Sequence, residues 1–353
     1  MESKNNSLEV KLASQNKVIR YLQKWIFKPN MKKGCAYHLD MHPETKKLIS
    51  KEEGSVLYVG LHRSLWETGG VNWILNNEGI KSPYIVMGSN LKYTFLSDLF
   101  VEKSGIIVFD RDKNANKKEL IPKFKTKLQK HLERGDHLII FAEGTRSRNG
   151  LPLHFGGIGF DASIKASENA DVYIVPFVVD YSLLRIYELD RYINYIKTGK
   201  KEVAQKPKLY EIINFFKGME DVYVSVGKPK KISPCDNSMD LRKETRNKCL
   251  EISKILPANV WATANLYAYN TNTHCRRNVL SLTDKILHNL EGYEHLMRGF
   301  DKFDKLRLKY EIEENVKTPY VFGTLNHKAW SELYYNYAKY NMDKIGIKPK
   351  LLH

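Results

Sequence analysis

The feature that most constrains the fold is an alternation of short apolar runs with helical patterns between residues 55 and 186. Such alternation is typical of an α/β domain, in which helices cover a mostly parallel sheet. The sequence therefore predicts an α/β fold with a mixed, mostly parallel central sheet flanked by helices. The predicted strands are residues 56–60, 84–87, 106–109, 138–141, 172–179 and, after a charged insert, 221–227.

The segments on either side of this sheet have a mainly helical pattern. Residues 8–28 form an apolar helical face ringed by Lys and Arg, which suits either a helix docked on the domain or an amphipathic helix in a lipid headgroup layer. After residue 236 the pattern is again helical, and the last forty residues are rich in aromatic side chains. We predict an N-terminal helical segment suited to a membrane surface at 1–50, an α/β core at 51–235 and a mainly helical region at 236–353.

The charge balance of the chain limits its partners. With 57 Lys and Arg against 40 Asp and Glu, the formal net charge is +17, which attracts phosphorylated substrates, anionic lipids, nucleic acid or an acidic carrier protein. The sequence contains no DNA- or RNA-reading signature, so nucleic acid is not an expected partner. The longest apolar run, 172–179, is far shorter than the roughly 18 residues of a membrane-spanning helix. We expect a chain that is soluble or lies on a membrane surface.

The four cysteines give no sign of a metal site or a disulfide framework. Cys35, Cys235, Cys249 and Cys275 form no CxxC pair and have no histidines at metal-ligand spacing. They are expected to be ordinary thiols in a reducing compartment.

The first polar cluster follows strand 56–60 and contains His62 and Glu67. Five positions on a helix correspond to a rotation of about 140°, so the two side chains can meet only if His62 lies in the turn and the helix begins near Ser64. A carboxylate bonded to one imidazole nitrogen fixes the tautomer and leaves the other nitrogen to take a proton from an alcohol. Alternatively, Ser64 and Glu67 form a capping box, and Glu67 only caps the helix.

Two further polar clusters follow predicted strands. Residues 143–148, after strand 138–141, are Glu-Gly-Thr-Arg-Ser-Arg. Guanidinium and hydroxyl groups on such a turn suit binding of a phosphate, and Glu143 can hold a guanidinium or a substrate hydroxyl. A polar surface loop gives the same pattern. Arg111 follows strand 106–109, where it is either a phosphate ligand or a salt-bridge partner of a neighbouring aspartate.

All three clusters are expected to face one crevice, because ligands of open α/β sheets bind at the carboxyl ends of the strands. In these residues the chain resembles the glycerolipid acyltransferases that act on glycerol phosphate and its acylated products. The resemblance covers roughly residues 50–270, and the third of its four blocks is the most specific. The four blocks are residues 62–67, 105–111, 141–147 and 174–177.

Some details are similar to the glycerol-3-phosphate acyltransferase branch of that family. They are His-Arg-Ser at 62–64, Gly-Ser-Asn-Leu at 88–91, Arg-Ser-Arg-Asn-Gly at 146–150 and Pro-Ala-Asn-Val-Trp-Ala at 257–262. The resemblance implies transfer of a fatty acyl group from acyl-CoA or an acyl carrier protein thioester to a hydroxyl of glycerol 3-phosphate. It implies no metal or other cofactor, and a peripheral membrane protein acting at an anionic surface on the cytoplasmic side.

The resemblance also assigns roles to individual residues. It implies that His62 is the catalytic base and that Glu67 is its carboxylate partner. The residues expected to bind the phosphate and the acceptor are Arg111, Glu143, Gly144, Arg146 and Ser147. The family's acid is normally Asp, so the longer Glu67 side chain must approach His62 from a different backbone position.

Two other functions fit the same residues. The acceptor could be 1-acylglycerol 3-phosphate, a lysophospholipid, which requires a deeper lipid-facing groove. The chain could also be a non-catalytic protein that binds anionic lipids, if the fold and the arginines persist while the pair formed by His62 and Glu67 does not function. Turnover compared with that of a His62→Ala variant separates an enzyme from a binding protein.

Overall fold

The computed structural model describes the sheet, the helices that cover it and the loops at one of its edges. The described residues are 13–14, 37–64, 67–88, 105–109, 116–182, 186–199, 221–271, 276–288, 290 and 325–350. The helix predicted at 8–28, most of the Gly-Ser-Asn-Leu segment at 88–91 and Arg111 lie outside these residues. No helix within them is both long and apolar enough to span a bilayer.

The predicted mixed, mostly parallel sheet is confirmed. The strands are β1 Tyr37–Met41, β2 Ser55–Gly60, β3 Tyr84–Gly88, β4 Ile106–Phe109, β5 Leu138–Phe141, β6 Val172–Tyr181, β7 Val222–Val226 and β8 Lys230–Lys231. Their order in the sheet is β1-β7-β6-β2-β5-β3-β4, and β8 also pairs with β6. Strand β6 pairs antiparallel with β7 and β8, whereas the pairs β1–β7, β2–β6, β2–β5, β3–β5 and β3–β4 are parallel.

Helices cover the sheet and extend from it at the C-terminal end. The helices are α1 Pro43–Ser50, α2 Glu67–Asn77, α3 Lys117–Glu133, α4 Ile158–Ala166, α5 Ile186–Thr198, α6 Ser238–Ile252, α7 Pro257–Asn270, α8 Arg276–His288 and α9 Leu325–Lys344. Helices α3, α4 and α6 pack with β2 and β6, and α7, α8 and α9 form a helical layer with a buried core of their own.

The sheet begins earlier in the chain than the sequence predicted. Strand β1 lies within the segment 1–50 that was expected to be helical, and it pairs in parallel with β7 from Tyr37 to Met41. Its residues alternate between partly buried and exposed positions, as an edge strand with one solvated face does. Because this five-residue strand carries polar side chains at alternate positions, it lacks the continuous apolar run that identified the central strands.

The C-terminal region also differs in detail from the prediction. The helical pattern after residue 236 begins with two helices, α6 and α7, because Pro257 opens α7 and the residues before it are extended. The aromatic segment near the C-terminus is helix α9, in which Trp330, Tyr334 and Tyr335 are almost fully buried. Its aromatic residues occupy several faces, so it shows no amphipathic stripe.

The loop before β5 contains a buried histidine that makes the stability of the fold depend on pH. The Nδ1 atom of His137 accepts a hydrogen bond of 3.1 Å from the backbone amide of Val56, and the ring packs edge-on against Tyr58. Burial lowers the pKa of His137 from 6.5 to about 4. Folding therefore keeps this ring neutral at pH values at which the unfolded chain binds a proton.

We expect the free energy of unfolding to fall by about 3 kcal/mol as the pH drops from about 6.5 to about 4, since one pKa unit corresponds to about 1.4 kcal/mol. In a His137→Asn variant, the amide oxygen can still accept from Val56 but does not titrate, so this part of the pH dependence should disappear. Urea unfolding at several pH values measures it. Equal losses in the native protein and the variant would show that His137 is not the source.

Candidate active site

The candidate site lies where the adjacent parallel strands β2 and β5 end. Gly60 and Phe141 are opposite each other at the last position of this pairing. The chain then continues into two loops, which we name the histidine loop (residues 61–64) and the arginine loop (residues 142–150). The two loops are hydrogen-bonded, because the amide of Ser147 donates to the carbonyl of His62 at 3.1 Å. The sheet thus brings two of the three predicted polar clusters together.

His62 and Glu67 are in contact. The distance between His62 Nδ1 and Glu67 Oε2 is 3.0 Å, and 14% of the His62 side chain is exposed. His62 lies in the loop and Glu67 is the first residue of α2, so the two are not on one regular helix. The longer glutamate side chain therefore reaches the ring. When Glu67 is ionised, its carboxylate can only accept, so we assign the hydrogen of the ring to Nδ1, and Nε2 is then the nitrogen left to take a proton.

Glu67 is fully buried and accepts several hydrogen bonds. Its carboxylate accepts from the backbone amide of Arg63 at 2.9 Å and from the hydroxyl of Tyr181 at 3.0 Å. Burial raises the pKa of Glu67 to about 8, against the opposing effect of these hydrogen bonds and of the Arg63 charge. Glu67 thus has a role beyond that of a helix cap, since its carboxylate connects the histidine ring, the loop backbone and the last residue of β6.

An aromatic stack supports the histidine ring from the sheet side. The rings of His62 and Phe141 are stacked, with centroids 4.4 Å apart and planes at 25°. Phe141 in turn packs edge-on against Phe177, at a centroid distance of 5.7 Å. A Cβ atom at Gly60 would lie 2.4 Å from the Phe177 ring, so only glycine fits at this position. The phenylalanine that opens the third block therefore orients His62 by packing.

Glu143 holds the histidine loop through the backbone. One carboxylate oxygen accepts from the amide of His62 at 3.3 Å, and the other accepts from the amide of Leu153 at 2.9 Å. Burial raises the pKa of Glu143 to about 7, while the two amide hydrogen bonds act in the opposite direction. Gly144 follows with φ +69°, a conformation that favours glycine. The structure thus places Glu143 as a support of His62.

The remaining predicted residues have different surroundings. Arg146 is partly buried in the arginine loop. The hydroxyl of Ser147 donates a hydrogen bond to the carbonyl of Leu151 at 2.6 Å. This hydrogen bond must break before the hydroxyl can donate to a phosphate. The guanidinium of Arg148 lies 5.8 Å from the centre of the Tyr195 ring. Arg111 lies outside the described residues.

Sequence reasoning did not single out Arg63 as a site residue. Its guanidinium is only 5% exposed and forms an ion pair with Asp180. It also donates to the hydroxyl of Ser253 at 3.1 Å and to the carbonyl of Tyr337 at 2.9 Å. Nothing in the local sequence distinguishes such a buried arginine from one that binds a phosphate, because its partners come from distant parts of the chain.

Within the described part of the chain, no group of three or more His, Cys, Asp and Glu side chains is arranged to hold a metal ion. Of the two cysteines described, Cys235 is exposed and Cys249 is buried, and both are free thiols. The groups at the two loops are therefore a histidine, carboxylates, guanidinium groups and backbone amides. This set can move a proton and bind an anion.

Comparison with known proteins agrees with this chemistry. A family model described as Acyltransferase matches residues 41–180, which include both loops. The chain is 27% identical to a glycerol-3-phosphate acyltransferase of Alteromonas mediterranea over 192 residues, or 53% of this chain and 23% of that protein. It is 24% identical to a glycerol-3-phosphate acyltransferase of Actinobacillus succinogenes over 282 residues, or 75% of this chain and 34% of that protein.

Among solved structures, the 1-acyl-sn-glycerophosphate acyltransferase of Thermotoga maritima aligns with 67% of this chain and 80% of that one. The TM-score is 0.40 and the sequence identity is 16%. The chain thus spans between about a quarter and a third of the length of the two curated relatives described above. The family model shows that the chain contains an acyltransferase domain, and the two curated relatives show that it is similar to glycerol-3-phosphate acyltransferases.

Proposed function

We propose that this protein transfers a fatty acyl group from an acyl thioester to a hydroxyl of glycerol 3-phosphate, as a step of phospholipid synthesis. The observation that carries the proposal is the contact of 3.0 Å between His62 Nδ1 and the buried carboxylate of Glu67, next to a loop containing Arg146. The pair supplies a base for the hydroxyl, and the loop supplies positive charge for the phosphate. The names of the relatives support this choice of acceptor.

In the proposed reaction, His62 Nε2 takes the proton of the acceptor hydroxyl as the hydroxyl oxygen attacks the carbonyl carbon of the thioester. A carbon–oxygen bond forms, the carbon–sulfur bond then breaks, and His62 returns the proton to the leaving thiolate. The products are an ester and a free thiol. Glu67 keeps the imidazole in the required tautomer and stabilises its charged form during the transfer. Base catalysis of this kind contributes about 10²- to 10⁴-fold.

The acceptor is bound, in this proposal, by charge and by the loop backbone. Arg146 and Arg111 hold the phosphate as guanidinium ligands, and Gly144 provides the positive φ at which the arginine loop turns. Ser147 joins them if its hydroxyl turns away from Leu151. We place Glu143 beside the acceptor, where its carboxylate keeps the His62 amide in position. Both carboxylate oxygens accept hydrogen bonds from backbone amides.

The acyl donor is acyl-CoA or an acyl carrier protein thioester, and both are acidic. A net charge of +17 favours either donor, as well as an anionic membrane surface at which the protein would act as a peripheral protein. We include the membrane surface in the proposal because the product is a lipid.

Thiol release tests the proposed function. Palmitoyl-CoA and an acyl carrier protein thioester are each supplied with glycerol 3-phosphate, with 1-acylglycerol 3-phosphate or with no acceptor. We expect release that depends on glycerol 3-phosphate and is absent in a His62→Ala variant. Release that depends on the lysophospholipid alone would replace the proposed acceptor. Binding of anionic vesicles without any release would favour a lipid-binding protein.

A Glu67→Asp variant tests whether the length of this side chain matters. Although aspartate is the usual acid of the family, we expect the variant to be about 10- to 100-fold less active, because a misplacement of about 1 Å can cost about 10²-fold. The shorter carboxylate moves away from His62, from the Arg63 amide and from Tyr181 together. The measurement is kcat/KM for thiol release, and native activity in the variant would contradict this account.

A further inference from the structure

Helix α9 contacts both loops of the candidate site from a distant part of the chain. Arg63, in the histidine loop, and Tyr337, in α9, are 274 positions apart in the sequence. Asn149, in the arginine loop, and Asn336, in α9, are 187 positions apart. The residues of α9 that make these contacts are consecutive. One helix therefore contacts the histidine loop and the arginine loop through neighbouring residues.

The contact with the histidine loop is made through Arg63. Its Nη2 donates to the carbonyl of Tyr337 at 2.9 Å, and its guanidinium carbon lies 5.0 Å from the centre of the Tyr337 ring. The backbone amide of the same arginine donates to Glu67 at 2.9 Å. One residue thus links α9 to the carboxylate that orients His62. A shift of Arg63 moves a hydrogen-bond donor of Glu67.

The contact with the arginine loop is made through Asn336 and the backbone of α9. The side-chain amide of Asn336 donates to the carbonyl of Asn149 at 2.7 Å. The next residue, Gly150, has φ +81°, and a Cβ atom there would lie 2.7 Å from the carbonyl oxygen of Leu333. The glycine in the Arg-Ser-Arg-Asn-Gly segment therefore permits close approach of this loop to α9. Asn336 and Gly150 are both buried, so α9 limits where the loop can lie.

We propose that α9 is a positioning element of the active site, in which Tyr337 holds the histidine loop and Asn336 holds the arginine loop. The kinetic test of this inference rests on the proposed function, because it measures acyl transfer. Because both loops are attached to one helix, the distance between the base and the phosphate-binding cations is set by α9 as well as by the sheet. Neither residue of α9 is placed in contact with a substrate; both act through the loops.

The kinetic test uses two variants of α9 and a matched control. We expect Asn336→Ala and Tyr337→Ala each to lower kcat by about tenfold or more, because small misplacements of reacting groups are costly, while KM for the acyl thioester changes little. Tyr337→Phe keeps the ring under Arg63 and should recover most of the loss. Asn265→Ala removes a buried asparagine of α7 whose side-chain amide, among the described residues, donates to the Trp261 carbonyl of the same helix at 2.9 Å, and it should retain native kcat.

Hydrogen exchange tests the same inference without any turnover. The amides of Arg63 and Ser147 donate to Glu67 and to the carbonyl of His62, so they report on the two loops. In Asn336→Ala and Tyr337→Ala we expect faster exchange of the loop peptides and native exchange of central strands β2 and β6. If the native protein shows no acyl transfer, the proposed function fails, and the exchange data still decide the inference.

Three results would overturn the inference. The first is a kcat for both α9 variants that is no lower than that of Asn265→Ala. The second is loop exchange that is unchanged while the variants remain folded. If exchange rises throughout the protein, the single substitutions have weakened the whole fold, and the positioning role is rejected in favour of a purely structural one.

Discussion

Replacing His62 with alanine is expected to lower kcat for acyl transfer by about 10²- to 10⁴-fold, the range that a general base contributes. The loss should be in kcat, because the imidazole acts on the proton in the transition state and the arginine loop, which we propose binds the acceptor, is unchanged. The geometry behind this expectation is the hydrogen bond of 3.0 Å to Glu67 and the stacking of the ring on Phe141. Acceptor-dependent thiol release from palmitoyl-CoA measures the effect.

His38 provides a matched control for this substitution. Its ring stacks on Tyr223 with ring centroids 4.5 Å apart. It lies in β1, which is an edge strand of the sheet and does not pair with β2 or β5, the strands that the two loops follow. His38→Ala should therefore keep native kcat. Thermal unfolding of both variants separates a catalytic loss from a folding defect. A His62→Ala variant that is folded and retains native turnover would remove His62 from the mechanism.

Replacing Arg63 with methionine is expected to destabilise the fold by about 3–5 kcal/mol, the cost of leaving a buried charge without its partner. Asp180, its ion-pair partner, is only 4% exposed. It would retain hydrogen bonds from the hydroxyl of Ser253 and the amide of Lys254, both at 2.8 Å, but no ion-pair partner among the described residues. Methionine fills a similar volume, so the loss reports the charge and its hydrogen bonds. Urea unfolding at neutral pH measures the change.

Two companion variants make this expectation specific. In Arg63→Met/Asp180→Asn no charge is left unpaired, so a large part of the stability should return. In Lys125→Met the lost ion pair with Asp161 is 3.4 Å long and more than a third exposed on both sides, so the change should stay below about 1 kcal/mol. Equal losses for Arg63→Met and Lys125→Met would contradict the buried role of Arg63.

The central strands could be predicted from the sequence because they are buried on both faces. Strands such as β2 and β6 are buried on both faces, so they appear as continuous apolar runs that local inspection detects. The polar clusters after them could be placed at one edge because parallel strands end together. The contact between His62 and Glu67 follows from the same reasoning once His62 is assigned to the turn.

The residues that support the site were harder to predict. Tyr181 reaches Glu67 because β6 extends two residues beyond the predicted run, with the buried polar Asp180 between. Arg63 and Arg146 lie three and five positions beyond the ends of their respective strands and are the same residue type, yet Arg63 is buried against α9. Only the tertiary packing of a helix more than 270 positions away distinguishes it. Local patterns carry no information about such a distant partner.

Acyl transfer by this site is tested by identifying, with mass spectrometry, the product formed from palmitoyl-CoA and glycerol 3-phosphate. We expect 1-acylglycerol 3-phosphate, formed together with free CoA by the native protein, and little or none from His62→Ala. Hydrolysis of the thioester to free fatty acid in the presence of the acceptor, or a product that forms equally in the two proteins, would contradict acyl transfer by this site.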